Sequence, residues 1–329
     1  MSELDDVIRD MRKKFGEEAI TTMSQKPLSV PVIPTGSLSI DSALGVGGIP
    51  LSRMTMIHGP DGAGKTTLAQ HIVAEAQKMD KATAYIDMEH ALDRRYMEAC
   101  GVDTEKMLLS QPNTGADAID LVCALIPVTG LIVVDSVASL VTAAEPDGEA
   151  GDHHMGQLAR MMSQNLKRIT PILGRSECAL LWINQERTDI ASYGAPVRAA
   201  GGKALKYYVS VVMRIRRTQV LKEKGEEYGM TVKVQIRKNK VAPPFREADV
   251  DIIFGKGIDL NSDLVAAAIK SGVIEQAGSW YTYIKEDGEE IRVQGKLPMV
   301  NKVQESKELQ DEIRNKVLPP QDEDEDEER

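Results

Sequence analysis

Apolar and polar positions change period several times along this chain, and the changes mark out its elements. Leu4, Val7, Ile8, Met11 and Phe15 recur at helical spacing in a charged opening segment, which predicts an amphipathic helix. Residues 24–34 hold three prolines together with Val30, Val32 and Ile33, and read as an extended tether. A helix on such a tether either folds back on the core or docks on a neighbouring subunit, with the tether adding to that neighbour's sheet. The second is favoured, because so short a segment has little of its own domain to pack on. From Thr35 onward apolar strands alternate with helices, the pattern of an α/β domain with a mostly parallel sheet. Strands are predicted at 54–58, 82–88, 131–134 and 179–184, and a half-buried alternating one at 231–236. A long helix over 155–175 turns Leu158, Met161, Met162, Leu166 and Ile169 inward and puts Arg160 and Lys167 on one face. Its methionines read as core filler. Two segments, 145–154 and 186–202, contain glycine, are polar and show little period; the second exceeds the usual loop length. After Asn261 come a short helix at 263–270, a hairpin turning at Asp287-Gly288 and an amphipathic helix through Leu309, Ile313 and Val317.

The predicted strand at 54–58 runs into Gly59-Pro60-Asp61-Gly62-Ala63-Gly64-Lys65-Thr66-Thr67, which matches G-x-x-x-x-G-K-[ST]. Gly59, Gly62 and Gly64 admit backbone angles closed to other residues, so several N–H groups can point around a phosphate. The helix that follows adds the positive end of its dipole. Lys65 reaches β- and γ-phosphates, and the Thr66 hydroxyl sits on Mg²⁺. A glycine-rich connection with a surface lysine is the plainer alternative, but the preceding apolar strand and following helix-forming run favour a nucleotide. The other three parallel strands end at Glu89, Asp135 and Gln185. In open α/β sheets ligands bind at the carboxyl ends of strands, so these groups are expected to meet the phosphate loop. Each has a structural alternative, since Glu89 or Asp135 could cap a helix and Gln185 could satisfy loose backbone.

Composition alters this picture in few places. The 329 residues are 42% hydrophobic, enough for one large domain and a smaller one. No apolar run approaches the roughly 20 residues of a membrane span, and the charged opening is no signal peptide. Cys100, Cys123 and Cys178 are widely spaced and are expected to pack as small apolar residues in a reducing cytoplasm. The five histidines show no metal-ligand spacing. A net charge of −10 argues against a nucleic-acid partner, but residues 322–329 account for −6 of it. The remaining body carries basic clusters at 214–217 and 237–240. The acidic tail reads as a disordered solubilising segment, or as a competitor for nucleic acid on a basic surface.

The motifs TGSLSIDSALGVGGIP, GPDGAGKTT, YIDMEHALD, LIVVDSVASL, GDHHMGQLARMMSQ, WINQ, GGKALKYYVS, IRKNKVAPPF and AGSWYTY together resemble bacterial (or phage-encoded) RecA-type recombinases, over about 35–296 and more loosely at both ends. The resemblance implies a RecA-like P-loop ATPase core of α/β class with a mostly parallel twisted sheet, an N-terminal oligomerisation helix and a small α+β C-terminal domain. Residues 1–34 would form the helix and tether, 35–259 the core, 260–318 the small domain and 319–329 the tail. It implies that Glu89 activates the attacking water, Asp135 holds Mg²⁺ through water, and Gln185 senses the γ-phosphate. Asp93 and Tyr96 would contact adenine. Lys238 and Lys240 would reach across a subunit interface to the neighbour's ATP, a catalytic contribution in trans. Segments 145–156 and 186–202 would be DNA-binding loops, with Met155, Gly156, Arg160, Lys167, Arg187, Tyr193, Gly201 and Gly202 at contact positions.

Several positions depart from the family's usual pattern. The phosphate loop reads DGA where ESS is common, Tyr193 and Tyr207 replace phenylalanine, Asp189 replaces a basic residue, and 197–200 replaces a threonine-rich run. The implied function is ATP- and Mg²⁺-dependent filament formation on single-stranded DNA, with search of double-stranded DNA and strand exchange in recombinational repair. Support for self-cleavage of a repressor in the DNA-damage (SOS) response, and loading by mediator proteins, would follow from membership alone. The alternatives are a hexameric helicase motor on the same core, and a nucleotide-controlled DNA-binding filament without strand exchange. The tethered helix and paired loops speak against the first, and Glu89 against the second.

Overall fold

The computed structural model describes residues 3–16, 20, 30–140, 152–187, 198–199 and 202–318. The chain divides into two compact units, Met1–Val30 and Pro31–Arg329. In the first, α1 (Glu3–Phe15) carries the expected apolar stripe, with basic residues in its last turn where they complement the helix dipole. The stripe is only partly covered: Ile8 and Met11 are half-buried, while Leu4, Val7 and Phe15 are 66%, 55% and 65% exposed.

The second unit opens with β1 (Val32–Ile33), α2 (Leu38–Leu44) and β2 (Ile49–Pro50), the two strands pairing antiparallel. Ser37 caps α2 by accepting from the Ile40 N–H at 3.2 Å, and Gly45 ends it at φ +79°. Then come β3 (Met54–Gly59), α3 (Lys65–Lys78), β4 (Thr83–Asp87), α4 (Arg94–Ala99), β5 (Met107–Ser110), α5 (Gly115–Leu125), β6 (Leu131–Asp135), α6 (Asp152–Leu173) and β7 (Ala179–Arg187). A two-residue β8 (Arg198–Ala199) and α7 (Gly202–Tyr208) lead into a long antiparallel ribbon, β9 (Val211–Glu223) with β10 (Glu226–Asn239). β11 (Glu247–Ile253) and β12 (Gly257–Ile258) complete the sheet. Its order is β12-β11-β10-β9-β3-β7-β6-β4-β5, parallel from β9 to β5 and antiparallel from β9 outward to β12.

Buried on both faces, β3, β4 and β6 are apolar almost throughout, as parallel central strands require. Ile57, Tyr85, Val133 and Leu181 pack on one side with Leu68, Ile72 and Val73 of α3. Met56, Ile86, Val134 and Trp182 pack on the other with Ile119 and Val122 of α5 and Met162, Leu166 and Ile169 of α6. The three cysteines are buried and free. The remaining chain forms α8 (Leu260–Ser271), the antiparallel β13 (Glu275–Ala277), β14 (Trp280–Ile284) and β15 (Glu290–Gln294), then α9 (Lys296–Gln304) and α10 (Lys307–Val317). These elements share a further apolar cluster of Leu264, Val265, Tyr283, Met299 and Ile313, joined by Leu38 of α2.

Three expectations change. The long helix starts at Asp152 and ends at Leu173, so 152–154, expected to be irregular, are helical, and Gly156 lies inside the helix. The apolar face downstream outweighs the cost of one glycine, about 1 kcal/mol. Within 186–202, Glu186 and Arg187 continue β7 and pair with Ala199 and Arg198, and Gly202 opens α7. Two rungs of ladder are too short to leave a period. The strand expected at 231–236 is present with Val232 and Val234 buried between half-buried Thr231 and Lys233, but it runs on at both ends as β10, whose first three residues are exposed. Tyr193, Gly201, residues 145–151 and the tail 319–329 lie outside the described residues.

Asp41 sits wholly inside this unit, its Oδ1 accepting from the Thr35 N–H at 2.8 Å. Burial raises its pKa to about 8, and burial also raises that of Asp263. The folded state therefore keeps a proton on Asp41 that the unfolded chain releases near pH 4, and stability falls as pH rises from there toward 8. Asp41→Asn keeps the carbonyl acceptor and removes the titration. Thermal unfolding should show the variant gaining on the parent between pH 5 and 8 and converging with it at pH 4; parallel curves would assign the pH dependence elsewhere.

Candidate nucleotide-binding and hydrolysis site

The turn from β3 to α3 is fixed by close packing. A Cβ on Gly59 would run into the Ile215 carbonyl oxygen, and one on Gly64, at φ +89°, into the Ile252 side chain. Gly62, at φ +65°, has open space around it. The loop thus lies flat against β9 and β11, leaving its N–H groups at the start of α3 for an anion. Lys65 Nζ donates to the Pro60 carbonyl at 2.7 Å and stands 3.9 Å from Asp61. Burial lowers its pKa, opposed by the acids Asp61, Asp135 and Glu89.

Register brings the strand ends together. Gly59 is level with Gln185, and Asp87 with Asp135. The Thr66 hydroxyl donates to Asp135 Oδ2 at 2.8 Å, and the Tyr85 hydroxyl donates to the same oxygen at 2.9 Å. Burial raises the Asp135 pKa to about 6 despite both hydrogen bonds, so this carboxylate gains from a nearby cation. A threonine hydroxyl beside a carboxylate is a set of hard oxygen donors suited to Mg²⁺. Glu89 is exposed at the mouth, two residues past the end of β4, not at its last rung. Asp87 Oδ1 accepts from the Glu89 N–H at 3.1 Å, and Glu89 Oε1 accepts from Gln185 Nε2 at 2.9 Å and from the Ser139 hydroxyl at 3.5 Å.

Asp93 caps α4, accepting from the Arg95 N–H at 2.8 Å. α4 in turn brings the Tyr96 hydroxyl within 2.9 Å of Thr67 Oγ1 on the phosphate-loop helix. Arg160 and Lys167 are both exposed on α6; Met155 and Gly156 lie in its first turns, and Arg187 at the end of β7. Lys238 and Lys240 are not brought to the loop. Lys238 is level with Val212 and hence with Met56, and the Lys240 N–H bonds to Ser210, at the start of the strands. Lys238 Nζ donates to the carbonyls of Lys206 and Tyr207 at 2.5 and 3.2 Å. Burial, then Lys240, lowers its pKa.

Sequence reasoning missed Asp87, Tyr85 and an ionic cluster beneath the loop. A tyrosine in an apolar central strand needs a partner for its hydroxyl, and that was the available signal for Tyr85. Arg214, grouped by sequence with an exposed basic run, instead donates Nε and Nη2 to Glu186 Oε1 and Oε2 at 2.8 and 3.0 Å. His58 Nδ1 lies 2.9 Å from the same Oε1. Burial lowers the His58 pKa to about 4. Burial, the largest single effect, would raise that of Glu186, but the hydrogen bonds and charges of Arg214 and His58 together outweigh it and the net shift is down. No group of three or more His, Cys, Asp or Glu suited to a metal occurs among the described residues, and no described helix is long and apolar enough to cross a membrane.

A phosphate loop closing the central strand of a doubly covered parallel sheet, with acids at the adjacent strand ends, defines a P-loop nucleotide-binding protein. Residues 2–259 match the family described as RecA N-terminal domain. The chain is 47% identical to Protein RecA of Thermus aquaticus over 96% of its own length and 93% of that protein's. It is 42% identical to Protein RecA of Citrifermentans bemidjiense over 97% and 94%, and 45% identical to that of Arthrospira platensis over 95% and 86%. The chain belongs to the RecA family, and is thus a RecA-type recombinase with DNA-dependent ATPase activity.

Two glycine substitutions separate packing from backbone freedom. Gly62→Ala meets no atom and should cost only the left-handed penalty, about 1–2 kcal/mol. Gly59→Ala meets backbone that cannot rotate away, and should lower the unfolding midpoint far more or prevent folding. Equal losses in denaturant titrations would remove the close contact with Ile215 from the explanation.

Proposed function

We propose that this protein binds ATP with Mg²⁺ on the β3–α3 loop, assembles on single-stranded DNA as a helical filament, pairs it with homologous double-stranded DNA, and hydrolyses ATP to leave. The observation that carries this reading is the Gln185–Glu89 contact at the mouth of the phosphate loop. It joins a carboxylate able to orient water to a strand that continues directly into segment 186–202. Gly59 to Thr67 cradle the phosphates, with Lys65 against the β- and γ-oxygens. Thr66 and Asp135 hold Mg²⁺, which supplies positive charge against phosphate oxygens. Asp93 and Tyr96 flank the adenine. Phosphoryl transfer depends mainly on positioning and charge, and Glu89, fixed by Asp87, Ser139 and Gln185, positions the water.

Lys238 and Lys240 stand at the far end of the sheet from their own loop, which supports their acting on a neighbour's nucleotide. Two surfaces support assembly. The edge strand β5 exposes Leu108 and Leu109 at 54% and 51%, free to accept an added strand. A cleft of about 860 Å³ is lined in part by Ile126, Pro127, Val128, Pro171 and Ile172, an apolar counterpart for the exposed stripe of α1 from another copy. Arg160, Lys167 and Arg187, with Met155, Gly156, Tyr193, Gly201 and Gly202, serve the DNA. Phosphate contacts would hold it and base pairing itself would test homology. The site of action is the cytoplasm, and mediators and a self-cleaving repressor are further partners of this reading.

Circular single-stranded DNA and linear duplex, with ATP and Mg²⁺, should give joint molecules only when the duplex is homologous. Strand separation regardless of homology would point to a helicase. Lys65→Ala should abolish exchange and hydrolysis together; near-normal hydrolysis would take the loop out of the mechanism.

A further inference from the structure

Gln185 occupies the last rung on which β7 is supported by β3. Pairing with β6 has already stopped at Trp182, and pairing with β3 stops at Gln185 itself. Past Gln185 β7 keeps only the two-residue pairing of Glu186 and Arg187 with β8, a weak hold for a strand end, yet the Gln185 amide must stay on Glu89 for the mechanism above. The next residue, Glu186, provides an anchor. Successive side chains point to opposite faces, so Gln185 turns toward Glu89 while Glu186 turns away. The Glu186 carboxylate is 6% exposed. It reaches over β3 to Arg214 on β9, two strands away, about 10 Å in a sheet, and meets that guanidinium with both oxygens at 2.8 and 3.0 Å. Arg214 is level with His58 in the register, and His58 Nδ1, on the strand between, closes on the same carboxylate at 2.9 Å. Paired in this two-pronged geometry, a carboxylate and a guanidinium fix orientation as well as distance.

We propose that Glu186 and Arg214 form a positioning pair for hydrolysis: their buried ion pair, spanning β7, β3 and β9 beneath the phosphate loop, pins the end of β7 so that Gln185 holds Glu89 in place. The pair touches neither nucleotide nor water and acts through Gln185. Through His58 of β3, which lies on the same carboxylate, the cluster also ties the strand that carries the phosphate loop to the strand that carries the sensing amide. The inference rests on the roles assigned above to Glu89 and Gln185.

The test uses the full chain with single-stranded DNA. It measures kcat and KM for ATP hydrolysis in Gln185→Ala, Glu186→Gln, Arg214→Gln, the Glu186→Gln/Arg214→Gln double variant and the Gln185→Ala/Glu186→Gln double variant. Glu186→Gln and Arg214→Gln should each lower kcat about 10-fold or more, as expected for a misplaced catalytic group, with KM for ATP little changed. Their double variant should lose no more than either single one, because both remove the same pair. In the Gln185→Ala background Glu186→Gln should have no further effect on kcat, which a merely structural role would not produce. If Gln185→Ala slows hydrolysis but Glu186→Gln does not, or if the losses multiply, the positioning pair is wrong. If Gln185→Ala itself leaves kcat intact, the assignment of the sensing amide fails instead. Should the single variants fold poorly, the swap Glu186→Arg/Arg214→Glu must restore kcat toward the parent; a swap that restores folding without kcat overturns the inference.

Discussion

The approach of the phosphate loop to β9 and β11 is the constraint on which the rest of this molecule depends. Gly59 has the Ile215 carbonyl where a side chain would be, and Gly64 has Ile252. At Gly59 the obstacle is backbone that cannot give way, and at Gly64 the positive φ of 89° disfavours any side chain, so the turn from β3 into α3 at this distance calls for glycine at both points. β3 sits between β7 and β9 in the sheet. The turn that ends it therefore sets the height at which Gln185, Asp135 and Asp87 arrive, and through Asp87 the height of Glu89. The buried runs of β3, β4 and β6 give that frame its rigidity, since a strand covered on both faces has no freedom to slip register.

Much of this was legible in the chain because the signals are local. Apolar runs bounded by glycine or by acids mark central parallel strands, and the phosphate loop marks itself. Capping explains α2 and α4 from Ser37 and Asp93 alone. What escaped was non-local. Glu186 and Arg214 are far apart in sequence and meet only because β9 returns beside β3, so Arg214 looked like one of a basic run. The ribbon of β9 and β10 projects beyond its neighbours, and its exposed half obeys no burial pattern. α6 begins three residues before the expected 155, because Asp152, His153 and His154 are polar and show no apolar period of their own.

The lysines at the end of β10 give the fold a second consequence. A single copy keeps Lys238 level with Met56 and Lys240 bonded to Ser210, away from its own phosphate loop, so in the proposed function these lysines complete a neighbour's site. An interface that places one copy's strand starts against another's strand ends would be heterologous and open, which generates helical filaments rather than closed pairs. On that proposal hydrolysis would be a property of the assembly, and DNA binding, by promoting assembly, would control it. The exposed stripe of α1 and the free edge of β5 belong to the same logic.

The most direct test of this account mixes two inactive variants on single-stranded DNA: Glu89→Gln, and Lys238→Ala/Lys240→Ala. Each alone should hydrolyse ATP poorly. In an equal mixture, junctions that pair an intact Glu89 with an intact lysine pair should recover roughly one quarter of the parent rate, as random neighbours across an open head-to-tail interface require. A mixture no more active than the sum of its two components would mean that each subunit completes its own site, and would contradict the account.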